Sequence, residues 1–297
     1  MAFHSPLRYP GGKGLLLRFV REIVRRNTPP ATTYVEPFAG GAAVAVGLLL
    51  EGDIDAAVIG DADPAIAAFW RAAVNHPDQF ADRISECAVT IDTWHEQAEI
   101  LSRGPTGDDL TLGFAAFFLN RTNYSGVIRA RPIGGLNQDG RWPLDCRFNK
   151  PNLLERLEAI AGLAGRLDIH EGDAIDLLTQ INAHTEGSAL VYADPPYLTK
   201  SSDLYMDTMT YASHQELAHT LQSSATFWMV SYDTDERVAN ELYPEARILR
   251  FSLRHSASRA HRGQELIAFS RNCVVGTATT QLVGAKWLDR SNSADAV

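Results

Sequence analysis

Apolar residues Leu15, Leu16, Phe19, Val20, Ile23 and Val24 recur at helical spacing, with Arg18, Arg21, Arg25 and Arg26 between them. This predicts an amphipathic helix over about Gly14 to Arg26, and Asn27-Thr28-Pro29-Pro30 ends it. The period then shortens. Thr33-Tyr34-Val35-Glu36 is a short strand candidate, followed by the turn Pro37-Phe38-Ala39-Gly40-Gly41 and an Ala/Val/Leu-rich helix reaching about Leu50. A second strand, Ala56 to Ile59, closes on Gly60-Asp61, and a helix starts at Pro64, a residue suited to a first helical turn.

The same rhythm returns downstream. Leu167 to His170 reads as a strand leading to Gly172-Asp173, with a helix from about Ala174 to Ile181. Ala189 to Tyr192 is a strand running into Asp194, and Thr226 to Val230 is another, ending in Ser231-Tyr232-Asp233. Strands alternating with helices predict an α/β fold of Rossmann type, a mostly parallel sheet covered on both faces. Near the end Leu249, Phe251 and Leu253 alternate with Arg250, Ser252 and Arg254, and Glu265 to Phe269 returns after Gly263, which predicts an antiparallel hairpin at the sheet edge. Between about Asn75 and Arg166 the alternation stops: the chain is helical to about Leu119, then polar, Gly-rich and Arg-rich through Phe148. The expected organisation is therefore a discontinuous main domain from 1–74 and 167–272, an inserted, mostly helical, Arg-rich lobe over 75–166, and a C-terminal tail over 273–297.

Composition narrows the setting. In 297 residues, 45% are hydrophobic and 21% charged, and no apolar run approaches the roughly 20 residues of a membrane span. No membrane partner is expected. Met1 to Pro10 lacks the pattern of an export signal, so a soluble, cytoplasmic protein is expected, as a monomer or weak dimer. Cys87, Cys146 and Cys273 are widely spaced and odd in number, which suggests neither a disulfide framework nor a metal site. A net charge of −9 argues against a nucleic-acid partner until its distribution is read. Residues 51–109 carry thirteen acids against three bases, whereas 120–150 carry six bases against two acids and 247–271 six against one. The basic segments are where a nucleic acid would be met.

Two places carry candidate chemistry. In a doubly wound sheet a Gly-rich turn after the first strand lets a nucleotide approach the backbone, and an acid ending the next strand grips ribose hydroxyls. Glu36 to Gly41 and Asp61, roughly twenty residues further on, occupy those positions; on this ground alone NAD and S-adenosylmethionine are equally suitable. The second place is Val191-Tyr192-Ala193-Asp194-Pro195-Pro196-Tyr197. Two consecutive prolines fix φ and remove two N–H donors, so the strand must stop there with its carbonyls and the Asp194 carboxylate held in a fixed direction. Such an acceptor nest suits an aromatic amino group, whose lone pair is delocalised until its hydrogens are accepted, and Tyr197 can stack on the base.

With that loop the chain resembles the Dam-like, D12 class adenine-specific DNA methyltransferases, which carry Asp-Pro-Pro-Tyr. Arg8-Tyr9-Pro10-Gly11-Gly12-Lys13 is similar to the family's aromatic-Gly-Gly-Lys motif, and Asn120-Arg121-Thr122-Asn123-Tyr124-Ser125-Gly126 to its Asn-Arg…Asn-Gly segment. Tyr9 stands where the family usually has Trp, Pro10 where Ala is usual, and Ser125 where Asn is common. The resemblance implies a catalytic S-adenosyl-L-methionine domain with an inserted target-recognition lobe. It also implies transfer of a methyl group to N6 of adenine in double-stranded DNA after base flipping. Asp194, Pro195, Pro196 and Tyr197 would be catalytic; Tyr9, Lys13, Glu36, Phe38, Gly40, Asp61, Asp173 and Asp194 would face the cofactor; Arg121, Asn123, Tyr124, Arg129 and Arg147 would meet DNA. No metal is implied, and a cognate restriction endonuclease encoded elsewhere is a partner the resemblance admits. Cytosine-N4 transfer shares the chemistry, although the loop then usually starts with Ser; a catalytically silent DNA-binding relative is the other alternative.

Overall fold

The computed structural model describes residues 5–9, 13–27, 33–184, 189–198, 209–255 and 261–289. Pro10-Gly11-Gly12 of the N-terminal motif, the Thr28-Pro29-Pro30 stop, the hairpin tip at 256–260 and the stretch from 290 onward lie outside them. Strands β1 (Thr33–Glu36), β2 (Ala56–Asp61), β3 (Leu167–Glu171), β4 (Ala189–Ala193) and β5 (Phe227–Asp233) pair in parallel, and β6 (Arg247–His255), β7 (His261–Phe269) and β8 (Val283–Trp287) add an antiparallel edge. The sheet order is β3-β2-β1-β4-β5-β7-β6-β8. The chain moves outward from β1 in one direction and restarts beside it at β4, so the carboxyl ends of β1 and β4 flank the switch point where such sheets hold ligands.

Side chains alternate faithfully across this sheet. Tyr34, Leu190, Tyr192, Met229 and Ile267 enter one core, while Val35, Val191, Ala193, Val230 and Ala268 enter the other. Helices α1 (Leu17–Asn27), α2 (Ala43–Leu50) and α3 (Pro64–Asn75) cover the first face. The intervening α4 (Pro77–Glu86), α5 (Ile91–Arg103), α6 (Asp109–Thr122) and α7 (Lys150–Ala161) extend that layer, and α8 (Ala174–His184) and α9 (Tyr211–Gln222) cover the second face. In α1 the apolar stripe Phe19, Val20, Ile23 and Val24 is buried, while Arg21 and Arg25 turn outward to Asp53 at 2.5 and 2.9 Å. Helix α2 is apolar all round because it is buried all round. Asp63 caps α3 by accepting from the Ala65 N–H at 3.0 Å, with Pro64 in its first turn.

The segment 75–166 is helical in its first part and irregular from Tyr124 to Phe148, but its apolar residues do not form a separate core. Phe80, Phe117 and Phe148 close around Phe69 of α3: Phe69 and Phe117 stack at 5.9 Å, Phe80 meets Phe69 edge-on at 5.7 Å, and Phe148 meets Phe117 at 5.6 Å. Residues from 273 differ from the expected tail. Cys273, Val275, Ala278 and Leu282 are buried in the main core, and β8 pairs with β6. Its Val283, Ala285 and Trp287 alternate with Gly284 and Lys286, a period-two signal too short to stand out beside a polar terminus.

Helices α3 and α6 approach closely at Gly113, where an added Cβ would lie 2.6 Å from the Ala68 carbonyl oxygen. Gly113→Ala should therefore destabilise the protein by about 1–3 kcal/mol through overpacking, against a helix-propensity gain of about 1 kcal/mol. Urea unfolding checks this: the midpoint should fall at constant slope, and a raised midpoint would show that the helices have room to part.

Candidate active site

The glycine turn after β1 is built around one acid. Asp61, ending β2, accepts the Gly40 N–H and the Asp63 N–H, each at 2.9 Å. Gly40 has φ +46°, and an added Cβ would lie 2.6 Å from the Tyr9 ring, so a side chain there would displace the tyrosine. The Trp70 indole donates to the Gly40 carbonyl at 3.0 Å from below. Asp61 is partly exposed as a residue, yet desolvation of its carboxylate outweighs the two backbone N–H groups and pushes its pKa up to about 6. Glu36, ending β1, is buried and accepts the Ala45 N–H at 3.1 Å; burial, with Asp194 nearby, pushes it up to about 8. Phe38 leans on the second core. Asp173 is exposed and accepts the Ile175 N–H at 2.7 Å, a cap on α8, while Gly172 donates to the Asp61 carbonyl at 3.1 Å and ties the ends of β2 and β3.

Across the switch point, the loop after β4 meets the N-terminal motif. Lys13, in a 3-10 turn before α1, is buried with its ammonium 3.0 Å from Asp194 Oδ2 and 3.7 Å from Glu265 Oε2. It also donates to the Tyr197 hydroxyl at 2.8 Å, and that hydroxyl donates to Glu265 Oε1 at 2.9 Å. Burial works to neutralise the ammonium, but Asp194 and Glu265 overcome it and hold the Lys13 pKa above the ordinary lysine value. Asp194 Oδ1 accepts from the Ser231 hydroxyl at 2.5 Å, and Ser231 in turn lies 3.0 Å from the Tyr192 hydroxyl. Both carboxylate oxygens of Asp194 are thus held, while a fifth of its side chain remains accessible (21%). Glu265, on β7, was not foreseen as part of this site. The signal available was an acid flanked by Leu266, Ile267, Ala268 and Phe269, in a run otherwise destined for the core.

The expected DNA-facing residues divide into two groups. Asn123 is fully buried, accepting from the Trp94 indole at 2.6 Å and donating to the carbonyls of Val127 and Ile128 at 3.1 and 3.0 Å. With its amide consumed by the loop's own backbone, it does not face DNA; the expectation is corrected. Arg121 is likewise engaged: its guanidinium donates to the carbonyls of Arg147 and of Pro6, the latter at 3.3 Å. It braces the loop and is not a free phosphate clamp. Burial, with Arg8, Arg156 and Arg147 nearby, pulls its pKa down to about 9. Asn120 holds both backbone groups of Arg8, at 2.7 Å each, and so sets the position of Tyr9. By contrast Tyr124, Arg129 and Arg147 are exposed. The Arg131 guanidinium lies over the Tyr124 ring at 5.0 Å, Arg141 over the exposed Trp142 at 5.1 Å, and Arg129 reaches Asp63 at 2.5 Å, beside the glycine turn.

These donor and acceptor sets fit a cationic nucleoside cofactor. The ends of β1, β2 and β4 present Glu36, Asp61 and Asp194, and the hub around Lys13 sets one ammonium against two carboxylates. Among the described residues no group of acids, histidines and cysteines is arranged to hold a metal ion.

The raised Glu36 pKa has a testable sign. Between its ordinary value of 4.5 and about 8, folded Glu36 keeps a proton that the unfolded chain has lost, so stability falls as pH rises through that window. Asp61 adds a smaller slope of the same sign up to about 6. Thermal unfolding followed from about pH 5 to about pH 8 should show Glu36→Gln losing less melting temperature than the wild type. Parallel curves would mean that Glu36 is ionised in the folded protein.

A family model described as D12 class N6 adenine-specific DNA methyltransferase matches residues 9–256. The DNA adenine methylase of Vibrio cholerae serotype O1 (strain O395) is 25% identical over 269 residues, covering 90% of this chain and 87% of that protein. The type II methyltransferase M.MjaIII of Methanocaldococcus jannaschii is 25% identical over 211 residues, covering 66% of this chain and 70% of that protein. Among solved structures, a putative RNA methyltransferase from Pyrococcus horikoshii aligns at a TM-score of 0.41 and 10% identity, covering 89% of this chain and 84% of that one. The matched stretch takes in Tyr9, the glycine turn, Asp61, the Asp194-Pro195-Pro196-Tyr197 loop and Ser231, and the chain belongs to the D12 class N6 adenine-specific DNA methyltransferases.

Proposed function

We propose that the protein transfers a methyl group from S-adenosyl-L-methionine to the exocyclic N6 of adenine at specific sites in double-stranded DNA, acting on a base swung out of the helix. The observation that carries this reading is the state of Asp194: a carboxylate anchored through both oxygens by Lys13 and Ser231, at the switch point, directly before two prolines. Each anchored oxygen keeps a lone pair, and the carbonyls of the rigid loop add acceptors that cannot turn away. Two acceptors for the two N6 hydrogens shift electron density toward nitrogen, which an amino group conjugated to a purine needs in order to act as a nucleophile. The bound cofactor supplies an electrophilic methyl. Tyr197, tethered through its hydroxyl, offers a ring face to the extruded base.

Tyr9, lying on Gly40, and Asp61, between two backbone donors, are the residues we assign to the cofactor's nucleoside part, with Glu36, Phe38, Lys13 and Asp173 around it. For DNA we assign Tyr124, Arg129 and Arg147, supported by their exposure and by the neighbouring Arg131, Arg141 and Trp142. Burial, with Arg147 nearby, lowers the Arg8 pKa, and burial, with Arg8, Arg156 and Arg147 nearby, lowers that of Arg121; a phosphodiester would relieve the repulsion within this cluster. Similarity to a type II methyltransferase supports the idea of a cognate endonuclease partner.

Asp194→Ala should lower methyl transfer into duplex DNA by about 100-fold or more, the usual scale for a key polar group. Transfer of radiolabelled methyl is the assay, and wild-type turnover by the variant would refute the assignment. Arg147→Ala should weaken binding to all duplexes alike and flatten its salt dependence by about one unit of slope. Arg129→Ala should instead cost about 1–3 kcal/mol at a single base position. Fluorescence anisotropy on cognate and scrambled duplexes at several salt concentrations separates the two; a base-specific effect at Arg147 would reverse them.

A further inference from the structure

Glu265 stands at the end of a chain of hydrogen bonds that starts at the catalytic carboxylate. From Asp194 Oδ2 the chain passes to Lys13 Nζ at 3.0 Å, to the Tyr197 hydroxyl at 2.8 Å and to Glu265 Oε1 at 2.9 Å. The Lys13 ammonium donates both to Asp194 and to Tyr197, and Tyr197 donates on to Glu265. Glu265 itself is nearly inaccessible, with 1% of its surface exposed. It also lies beyond the stretch that the family model matches.

We propose that Glu265 is the terminal proton acceptor of the reaction, receiving through Lys13 and Tyr197 the proton that N6 must lose. This rests on the methyl-transfer reading above. When the N6–methyl bond forms, the bond from methyl to sulfur breaks with its electron pair going to sulfur, and N6 is left with a positive charge and one proton too many. An N6–H bond then breaks, its electron pair stays on nitrogen, and the proton passes to Asp194. Tyr197 passes its proton to Glu265 and takes one from the Lys13 ammonium, and the neutral amine so formed takes the proton from Asp194. Lys13 and Tyr197 end as they began, Asp194 is again a carboxylate, and Glu265 is a neutral acid. Without that discharge, a protonated Asp194 would no longer accept from the next amino group.

The surroundings suit this direction. Burial raises the proton affinity of Glu265 above that of an ordinary carboxylate, and nearby Asp194 raises it further, while Lys13 and the Tyr197 hydrogen bond oppose them. Among the described residues, the other ionisable groups nearby are Tyr192 on β4 and Asp233, its cross-strand partner on β5. On β6 the partner is Phe251, which carries no charge.

The test compares wild type, Glu265→Gln, Tyr197→Phe and the double variant in steady-state, multiple-turnover methyl transfer across pH, with cofactor affinity measured separately by calorimetry. Glu265→Gln keeps the shape of the side chain and removes its capacity to take a proton. Transfer should fall by about 10-fold or more, on the low side of what a positioned proton acceptor contributes, and the deficit should shrink as pH rises and hydroxide can take the proton. Cofactor affinity should stay within about two-fold. Tyr197→Phe keeps the ring but cuts the chain, so the double variant should be no slower than the slower single variant. Infrared difference spectra taken through one turnover should show a protonated-carboxyl band in the wild type that Glu265→Gln lacks. If the wild type methylates DNA and Glu265→Gln matches its rate and pH profile, the relay is wrong and the methyltransferase reading stands. Should Glu265→Gln not fold, additive losses when Tyr197→Phe is combined with Lys13→Arg would overturn the relay. If the wild type transfers no methyl at all, the functional reading fails first.

Discussion

A single buried cation holds the site together. Lys13 reaches the core from the N-terminal motif and meets carboxylates from two distant stretches of chain, Asp194 after β4 and Glu265 on β7. An ammonium alone in that interior would lose its proton, and two carboxylates alone would repel each other and take one up. Together the two carboxylates hold the Lys13 pKa above the ordinary lysine value. Removing one partner of such a buried pair typically costs about 3–5 kcal/mol, so the N-terminal motif, the Pro-Pro loop and the antiparallel edge are fixed relative to one another. Tyr197 adds a neutral link between the same two charges.

The sheet explains why these groups can meet. Because strand order reverses between β1 and β4, their carboxyl ends open side by side, and Glu36 and Asp194 come close to one another. Parallel strands deliver loops to that end, and β7, running the other way, delivers a side chain from its early part. Glu265 pairs in register with Asp233, which ends β5, and so sits level with those ends. On the opposite flank Asn120 grips both backbone groups of Arg8 and donates to the Gly126 carbonyl, and an added Cβ on Gly126 would overlap the Arg8 carbonyl. Part of the segment that looked like target recognition is therefore a brace for Tyr9.

Local periodicity was enough to find β1 through β7, because each strand is either a short apolar run or alternates, and turn residues bound it. It was not enough for α7 and α9, whose polar faces dilute the helical signal, nor for β8 at a frayed-looking end. At the site, the Asp194 loop and Asp61 were readable because prolines and strand-end acids have local causes. Glu265 was not, since its meaning depends on a partner 68 residues away in sequence. Asn123 and Arg121 misled for the converse reason: a polar residue in a basic loop looks like a reader of DNA until its hydrogen bonds are counted, and both spend theirs on backbone carbonyls.

The proposed reaction joins the anchored carboxylate and the rigid acceptor loop in one chemical event, a methyl group arriving on an exocyclic adenine nitrogen. The measurement that reaches it most directly is mass-spectrometric nucleoside analysis of duplex DNA incubated with the protein and S-adenosylmethionine bearing a deuterated methyl group. Label found in deoxyadenosine, on N6, is the expected result. Label on the N4 or C5 position of deoxycytidine, or DNA left unlabelled while the cofactor is bound, would contradict it.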